Sequence, residues 1–203
     1  GQGSGGSCPN PQHGNPGSVA AGDPIDPVSG EVYTVPSVDL VLGGTFPLRL
    51  ERRYASARRK RDVGLGPGWC HSFAWDIEEL RGRVRLHTGD GGQFTCKAIE
   101  PGSESVLREG TLHRTTDGYR LVSRGGISRE FQRVGQSGAR YALASVSDGY
   151  GNGIRVEYDI RGQLARLVDS VGRSIRVDRD ANDKISAFSV FVEPENRWHS
   201  FFS

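Results

Sequence analysis

At 203 residues with a formal charge of +2, the chain can bury a core as one large or two small domains, and its charge is too balanced to imply a polyanion partner through net field alone. Apolar residues make up 35% and 29 residues are glycine, roughly twice glycine's usual ~7% share, which argues against long helices. No run approaches the ~18 apolar residues of a membrane span, and positions 1–18 lack the basic-then-apolar order of a secretion signal. The chain has no methionine, even at position 1, so it reads as a segment of something longer. Its three cysteines, Cys8, Cys70 and Cys96, cannot all pair within one chain and form no C-x-x-C, so no disulfide framework is expected.

Residues 1–30 are rich in Gly, Pro, Ser and Asn with little to bury, and read as an extended linker or lead-in. From Glu31 onward, short alternating apolar runs are separated by glycine or Asp-Gly turns, a period-2 pattern that predicts strands. Strands are expected at 31–35, 37–42, 47–54, 72–79, 82–87, 92–98, 111–115, 118–123, 127–133, 139–147, 153–159, 163–169, 173–178 and 184–192. Segments 48–63 and 173–193 lack Gly and Pro for long enough to rival as helices, but their apolar residues sit two apart and DRDAND at 178–183 reads as a turn. The fold class is therefore all-β, an antiparallel sheet of stacked β-hairpins. Alternation through Phe73, Trp75 and Ile77, and through Ile154, Val156 and Tyr158, marks the expected core, with Trp69 and Trp75 well buried.

The last third repeats itself with a period of about 21 residues, the kind of spacing at which stacked arrays are built. The shift that places Leu143 on Leu164 and Ile185 also places Val146 on Leu167 and Phe188, Asp148 on Asp169, Gly151 on Gly172 and Ile154 on Ile175. Each unit reads as one hairpin, with aspartate bonding its own downstream amides in the turn and glycine supplying positive φ. A lone hairpin cannot bury its apolar face, so the units must stack edge to edge. The Leu-x-x-Val/Leu spacing breaks strict alternation and places one residue per repeat in a bulge or at a strand end.

The units with Tyr158-Asp159, Gly162 and Leu164, then Asp169, Gly172 and Arg173, resemble the YD repeats of the Rhs family. Upstream, Gly22-Asp23-Pro24-Ile25-Asp26-Pro27-Val28-Ser29-Gly30-Glu31, Asp39-Leu40, Arg53-Tyr54-x-Ser56 and Gly64-Leu65-Gly66-Pro67-Gly68-Trp69 with Phe73 resemble the domain of unknown function that opens many bacterial Rhs cores. Three parts follow: a lead-in at 1–30, an Rhs-core opening β domain at 31–135 and YD repeats at 136–203. The resemblance implies a structural shell segment of a secreted polymorphic toxin, an effector in interbacterial competition delivered commonly by type VI secretion. Its partners would be the remainder of the Rhs shell and the enclosed C-terminal toxin, with a PAAR-type spike-tip domain and spike protein for export. The alternative is a surface-exposed carbohydrate or cell-envelope binding protein, with Trp69, Trp75 and Trp198 as stacking platforms. The third unit departs from the pattern, with Arg179-Asp180 in place of Tyr-Asp and Asp183 in place of Gly162, and three units are too few for a closed shell.

No catalytic, cofactor-binding or metal residue is expected, and no enzyme activity. Asp23 and Asp26 could suggest an aspartyl pair, or mark a cut before Gly30, but Asx-Pro dipeptides commonly shape turns. Cys8, His13, Cys70 and His71 are zinc-ligand types at a spacing that matches no finger. His87, His113 and His199 stand singly. Gly64 to Gly68 lacks the Lys-Ser/Thr and helix of a phosphate loop and reads as a turn into the Trp69 strand. The densest basic run, Arg52, Arg53, Arg58, Arg59, Lys60 and Arg61, lacks interleaved aromatics for base stacking and reads as an exposed hairpin loop, with neither nucleic acid nor membrane as partner.

Overall fold

A computed structural model describes residues 32–135, 139–192 and 195–201. The lead-in, with Cys8, His13, Asp23 and Asp26, lies outside the described residues. The described chain is antiparallel β, as expected, with one 3₁₀ turn at Ser56–Arg58. Strands β1 (Ser37–Leu42), β2 (Leu48–Tyr54) and β3 (Trp69–His71) form a three-stranded sheet. A thirteen-stranded sheet takes the rest.

One path in that sheet runs through β7 (Glu104–Leu107), β8 (Gly110–Arg114), β9 (Gly118–Val122), β10 (Ser128–Arg133), β11 (Arg140–Ser147), β12 (Gly153–Tyr158), β13 (Leu164–Val168), β14 (Ser174–Arg179), β15 (Ile185–Val192) and β16 (Arg197–Phe201). A side wing is made of β4 (Asp76–Leu80), β5 (Arg83–His87) and β6 (Gln93–Lys97). The branch point is β11. One of its edges pairs with β10 throughout, whereas on the other edge Arg140 to Ala142 pair with β4 and Ser145 to Ser147 pair with β12.

One apolar cluster joins everything. Leu40, Leu48 and Leu50 of the small sheet and Phe73 pack with Ile154, Leu167, Ile175, Phe188 and Val190 of the hairpin wing, and with Ile77, Val84 and Leu86 of the side wing. Burying each such side chain contributes about 1.5–3 kcal/mol, so the small sheet is held by the face it covers.

The corners recur in one geometry. Asp148, Asp159, Asp169 and Asp180 each donate their amide to the carbonyl four residues on and accept, through their own carbonyl, the amide three residues on. Each also accepts through Oδ1 the amides two and four residues on, at 2.7–3.1 Å. The backbone pattern appears upstream as well, from Thr88 to Gly92 and from Ser123 to Ile127, with Ser123 Oγ serving for the carboxylate. This is a type I turn closed by a residue at positive φ. Both corners of the repeating unit are thus the same device, alternating between the two ends of the sheet.

Gly151 and Gly172 supply the positive φ, at 86° and 88°, and an added Cβ at either meets nothing within 4 Å. Replacing either by valine is therefore expected to cost backbone strain alone, about 1–2 kcal/mol, read as a lowered thermal midpoint. An unchanged midpoint would refute the turn assignment. Asp183 takes the same place at φ 65°. Its carboxylate reaches Arg161 and Gln163 of the preceding corner on that end, at 3.1 and 2.6 Å, so it ties two corners together where glycine could not.

The bulges recur too. The pairing skips Ala144, Ala165 and Ser186, each on the second strand of its pair and each at the same place in its unit. The extra residue lets Leu143 and Val146, and their repeats Leu164 with Leu167 and Ile185 with Phe188, face the core together. Beside the first bulge, Tyr158 Oη donates to the Leu143 carbonyl at 3.0 Å. One unit on, Arg179 Nη2 donates to the Leu164 carbonyl at 3.0 Å. The Tyr-to-Arg departure therefore preserves the bond. Tyr158→Phe is expected to lose about 1 kcal/mol and Arg179→Ala a similar amount, while Arg179→Tyr stays near the parent in urea denaturation; a large loss for Arg179→Tyr would break the equivalence.

Several expectations need correction. No strand covers 31–35, where among the described residues an isolated bridge pairs Tyr33 with Ala55. Ser72 to Trp75 are a turn and coil before β4, so Phe73 and Trp75 are not strand residues, although Phe73 is buried. Strands β7 and β16 were not expected, and β3 was expected only as a strand at Trp69 without bounds. Trp69 and Trp75 are only half-buried, each with an arginine guanidinium over its ring, and Trp198 is 40% exposed on the edge strand β16.

Candidate functional site

The branch point is where distant parts of the chain meet. Asp76, at the start of β4, is buried and accepts through Oδ2 from Arg61 Nη2 at 3.0 Å and Arg140 Nε at 3.1 Å. Arg61 also donates to the Ala74 carbonyl at 2.9 Å. Further along the same strand, Glu79 accepts from Tyr119 Oη at 2.8 Å and pairs with Arg114 at 3.3 Å. Burial, and then the Glu79 carboxylate, push the Tyr119 hydroxyl well above its ordinary pKa. At Leu143 the fork divides: its amide donates to Trp75 of the side wing and its carbonyl accepts from Tyr158 of the hairpin wing.

Two more stitches join the small sheet's loops to the repeats. Between β1 and β2, Phe46 exchanges bonds with Ser170 Oγ at 3.2 and 2.9 Å, and Arg173 reaches the Gly43 carbonyl. Between β2 and β3, Asp62 Oδ1 accepts from Gly64 and Gly66 at 2.8 and 3.0 Å, while the Gly64 carbonyl accepts the Ile185 amide and Asp62 pairs with Lys184. The Gly64 to Gly68 run is thus a turn into β3, as expected, and also a dock on the third unit. Gly64, Gly66 and Gly68 all have positive φ, and at Gly68 a Cβ would sit 2.7 Å from the Tyr54 ring.

Only part of the basic run is the exposed hairpin loop that was expected: Arg59 and Lys60 are exposed in the connection between the paired strands β2 and β3, whereas the other arginines are braced. Arg52 holds Asp39 at 2.5 and 2.8 Å, Arg53 meets Glu51, Arg58 donates to the Asp90 carbonyl at 2.8 Å and Arg61 braces the fork. Arginine's planar fork suits such multiple bracing.

Cys70 and His71 are neighbours on β3 with different surroundings. Cys70 Sγ lies 3.8 Å from Arg58, and burial pushes its thiol pKa up, away from the reactive thiolate. His71 Nδ1 accepts the Phe73 amide at 3.3 Å, and its ring meets Phe188 edge-on. Burial, then Arg61 and Arg179, lower its pKa to about 3. Among the described residues no three His, Cys, Asp or Glu side chains gather as for a metal. His113 pairs with Glu104 and His199 with Glu195 at the surface; His87 lies in a cleft beside β4, its pKa lowered by burial and then by Arg61.

Each tryptophan carries a guanidinium over its ring: Arg52 on Trp69 at 5.6 Å, Arg129 on Trp75 at 4.2 Å and Arg176 on Trp198 at 4.6 Å. Those cation–π contacts occupy ring faces that a sugar would need. Sequence reading missed the fork, because Asp76 and Arg140 are 64 residues apart with no local signal linking them.

Residues 22–95 match a family described as a domain of unknown function, DUF6531. The chain is 32% identical over 154 residues to a protein of Dickeya dadantii (strain 3937) named "Probable deoxyribonuclease RhsA", and 32% identical over 153 residues to one named "Probable deoxyribonuclease RhsB" from the same organism. Each match covers 71% of this chain and 10% of the relative, so the chain spans about a tenth of the length of the curated relatives it matches. Together, the domain match and the likeness to both relatives support this chain as an Rhs family member.

Proposed function

We propose that this segment builds the wall of an Rhs shell that encloses a C-terminal toxin during export, commonly through a type VI machine with a spike-tip partner, in competition between bacteria. The observation that carries this reading is the recurrence of one corner and one bulge in every unit, which lets each unit add a hairpin to a sheet that ends in the open edge of β16. The names of the two relatives, both deoxyribonucleases, fit a nuclease as cargo. The segment itself contributes confinement, with no chemistry of its own. The half-buried, arginine-covered tryptophans favour this reading over a carbohydrate-binding one.

Electron microscopy of the full-length protein that carries these residues should show a closed hollow body with this segment in its wall and the C-terminal domain resistant to protease. An open rod with that domain accessible would overturn the reading. Incubated with plasmid DNA, the purified chain should leave it intact, and nicking would refute the division between wall and cargo.

A further inference from the structure

The side wing has an apolar face and a polar one. Ile77, Val84 and Leu86 fill the core, so alternation along β4 and β5 turns Glu78, Arg85 and His87 to the other side. There they floor a cleft of about 650 Å³, roofed by the segment that carries Arg58, Lys60 and Arg61 and bounded by Arg140.

Charge in this cleft does not cancel. Five cations line it, Arg58, Lys60, Arg61, Arg85 and Arg140, against three carboxylates, Asp62, Asp76 and Glu78. Asp62 is neutralised by Lys184, which is not part of the lining. Asp76 is shared by Arg61 and Arg140, and Glu78 holds Arg85. Arg58 also faces the Asp90 carboxylate, just outside the lining, so five cations less the two remaining carboxylates and less Asp90 leave an excess of two. Among the described residues Lys60 has no ion-pair partner, and Arg58 bonds only a carbonyl and a thiol. Arg85 Nε is buried with no acceptor at all. A buried N–H without an acceptor is rare in a native fold and calls for explanation, and a surplus of guanidinium groups in a concave site is the setting in which oxyanions bind through paired, charge-assisted hydrogen bonds.

We propose that this cleft binds an oxyanion, carboxylate or phosphoryl, whose oxygens accept from the accessible edge of the Arg85 guanidinium and from Arg58 and Lys60. The site needs no metal and is separate from the confinement proposed for the wall. Inorganic pyrophosphate and citrate are the probes, titrated into the purified chain against sodium chloride of matched ionic strength, with calorimetry and the thermal midpoint as readouts. At least one anion should bind saturably with a Kd of about 1 mM or tighter. Arg58→Ala and Arg85→Ala should each weaken it by about tenfold, the loss of one charge-assisted bond. Arg155→Ala, an exposed arginine on β12 outside the cleft, should leave it unchanged. Tighter pyrophosphate assigns a phosphoryl ligand, and tighter citrate a carboxylate. The proposal is overturned if neither anion binds the parent chain at about 10 mM, if binding survives in the Arg58→Ala/Arg85→Ala double variant, or if Arg155→Ala loses it equally. The parent titration alone decides should a variant fail to fold.

Discussion

Asp76→Ala should destabilise the protein by about 3 kcal/mol, because removing one member of a buried ion pair leaves its partners charged and unsatisfied. Its carboxylate is only 9% exposed, while Arg61 and Arg140 are 24% and 46% exposed, so water relieves Arg140 far better than Arg61. The loss should therefore fall mainly on Arg61, and Arg140→Gln alone should cost less, about 1 kcal/mol. Since Asp76 ties the 57–63 segment to both β4 and β11, the side wing should open first, with the β4 and β5 amides losing hydrogen-exchange protection ahead of β12 to β15. Equal protection losses throughout, or an Asp76→Ala variant as stable as the parent in urea, would remove the fork from its central place.

Acid should unfold the protein through His71. The folded imidazole titrates at about 3 against its ordinary 6.5, so between these values the unfolded chain binds a proton that the folded chain refuses. Stability from this group is complete above about pH 6.5 and drains away at about 1.4 kcal/mol per pH unit as the pH falls toward 3, on the order of 5 kcal/mol in all. His71→Gln keeps an acceptor for the Phe73 amide and does not ionise. It should start less stable at pH 7.5, where packing against Phe188 is lost, and show a markedly flatter dependence from pH 6.5 to 4. Parallel curves for parent and variant, or an NMR titration placing the His71 ring near 6.5, would contradict the buried neutral imidazole.

What could be read in advance followed local chemistry. The hairpins from β8 to β15 announce themselves because each strand alternates and most corners carry Asp or Ser with Gly three residues later, as at Ser123 and Gly126 or Asp169 and Gly172. The bulge was foreseeable from the Leu-x-x-Val spacing, but its seat at Ala144, Ala165 and Ser186 is defined only by the partner strand. Strand β3 is three residues long and owes its place to pairing with β2; β16 is polar along RWHSF and is held by β15. Phe73 and Trp75 imitate a strand while actually turning the chain toward Leu143. The cleft drew no notice because Arg58 and Arg85 stand far apart in the chain, in a turn and on a strand, and Arg85 looks like any arginine on a strand.

The Phe46 loop finds its partner, Ser170, 124 residues later in the chain. At about 5–20 residues per second of synthesis, that loop waits roughly 6–25 s for its partner, and the unpaired edge of β4 waits roughly 3–13 s for β11. During that interval a nascent chain presents apolar leucines and open backbone donors to its neighbours on the ribosome. A holding chaperone, or slow pairing with the wrong hairpin, would act in that window, before the second unit emerges and closes it.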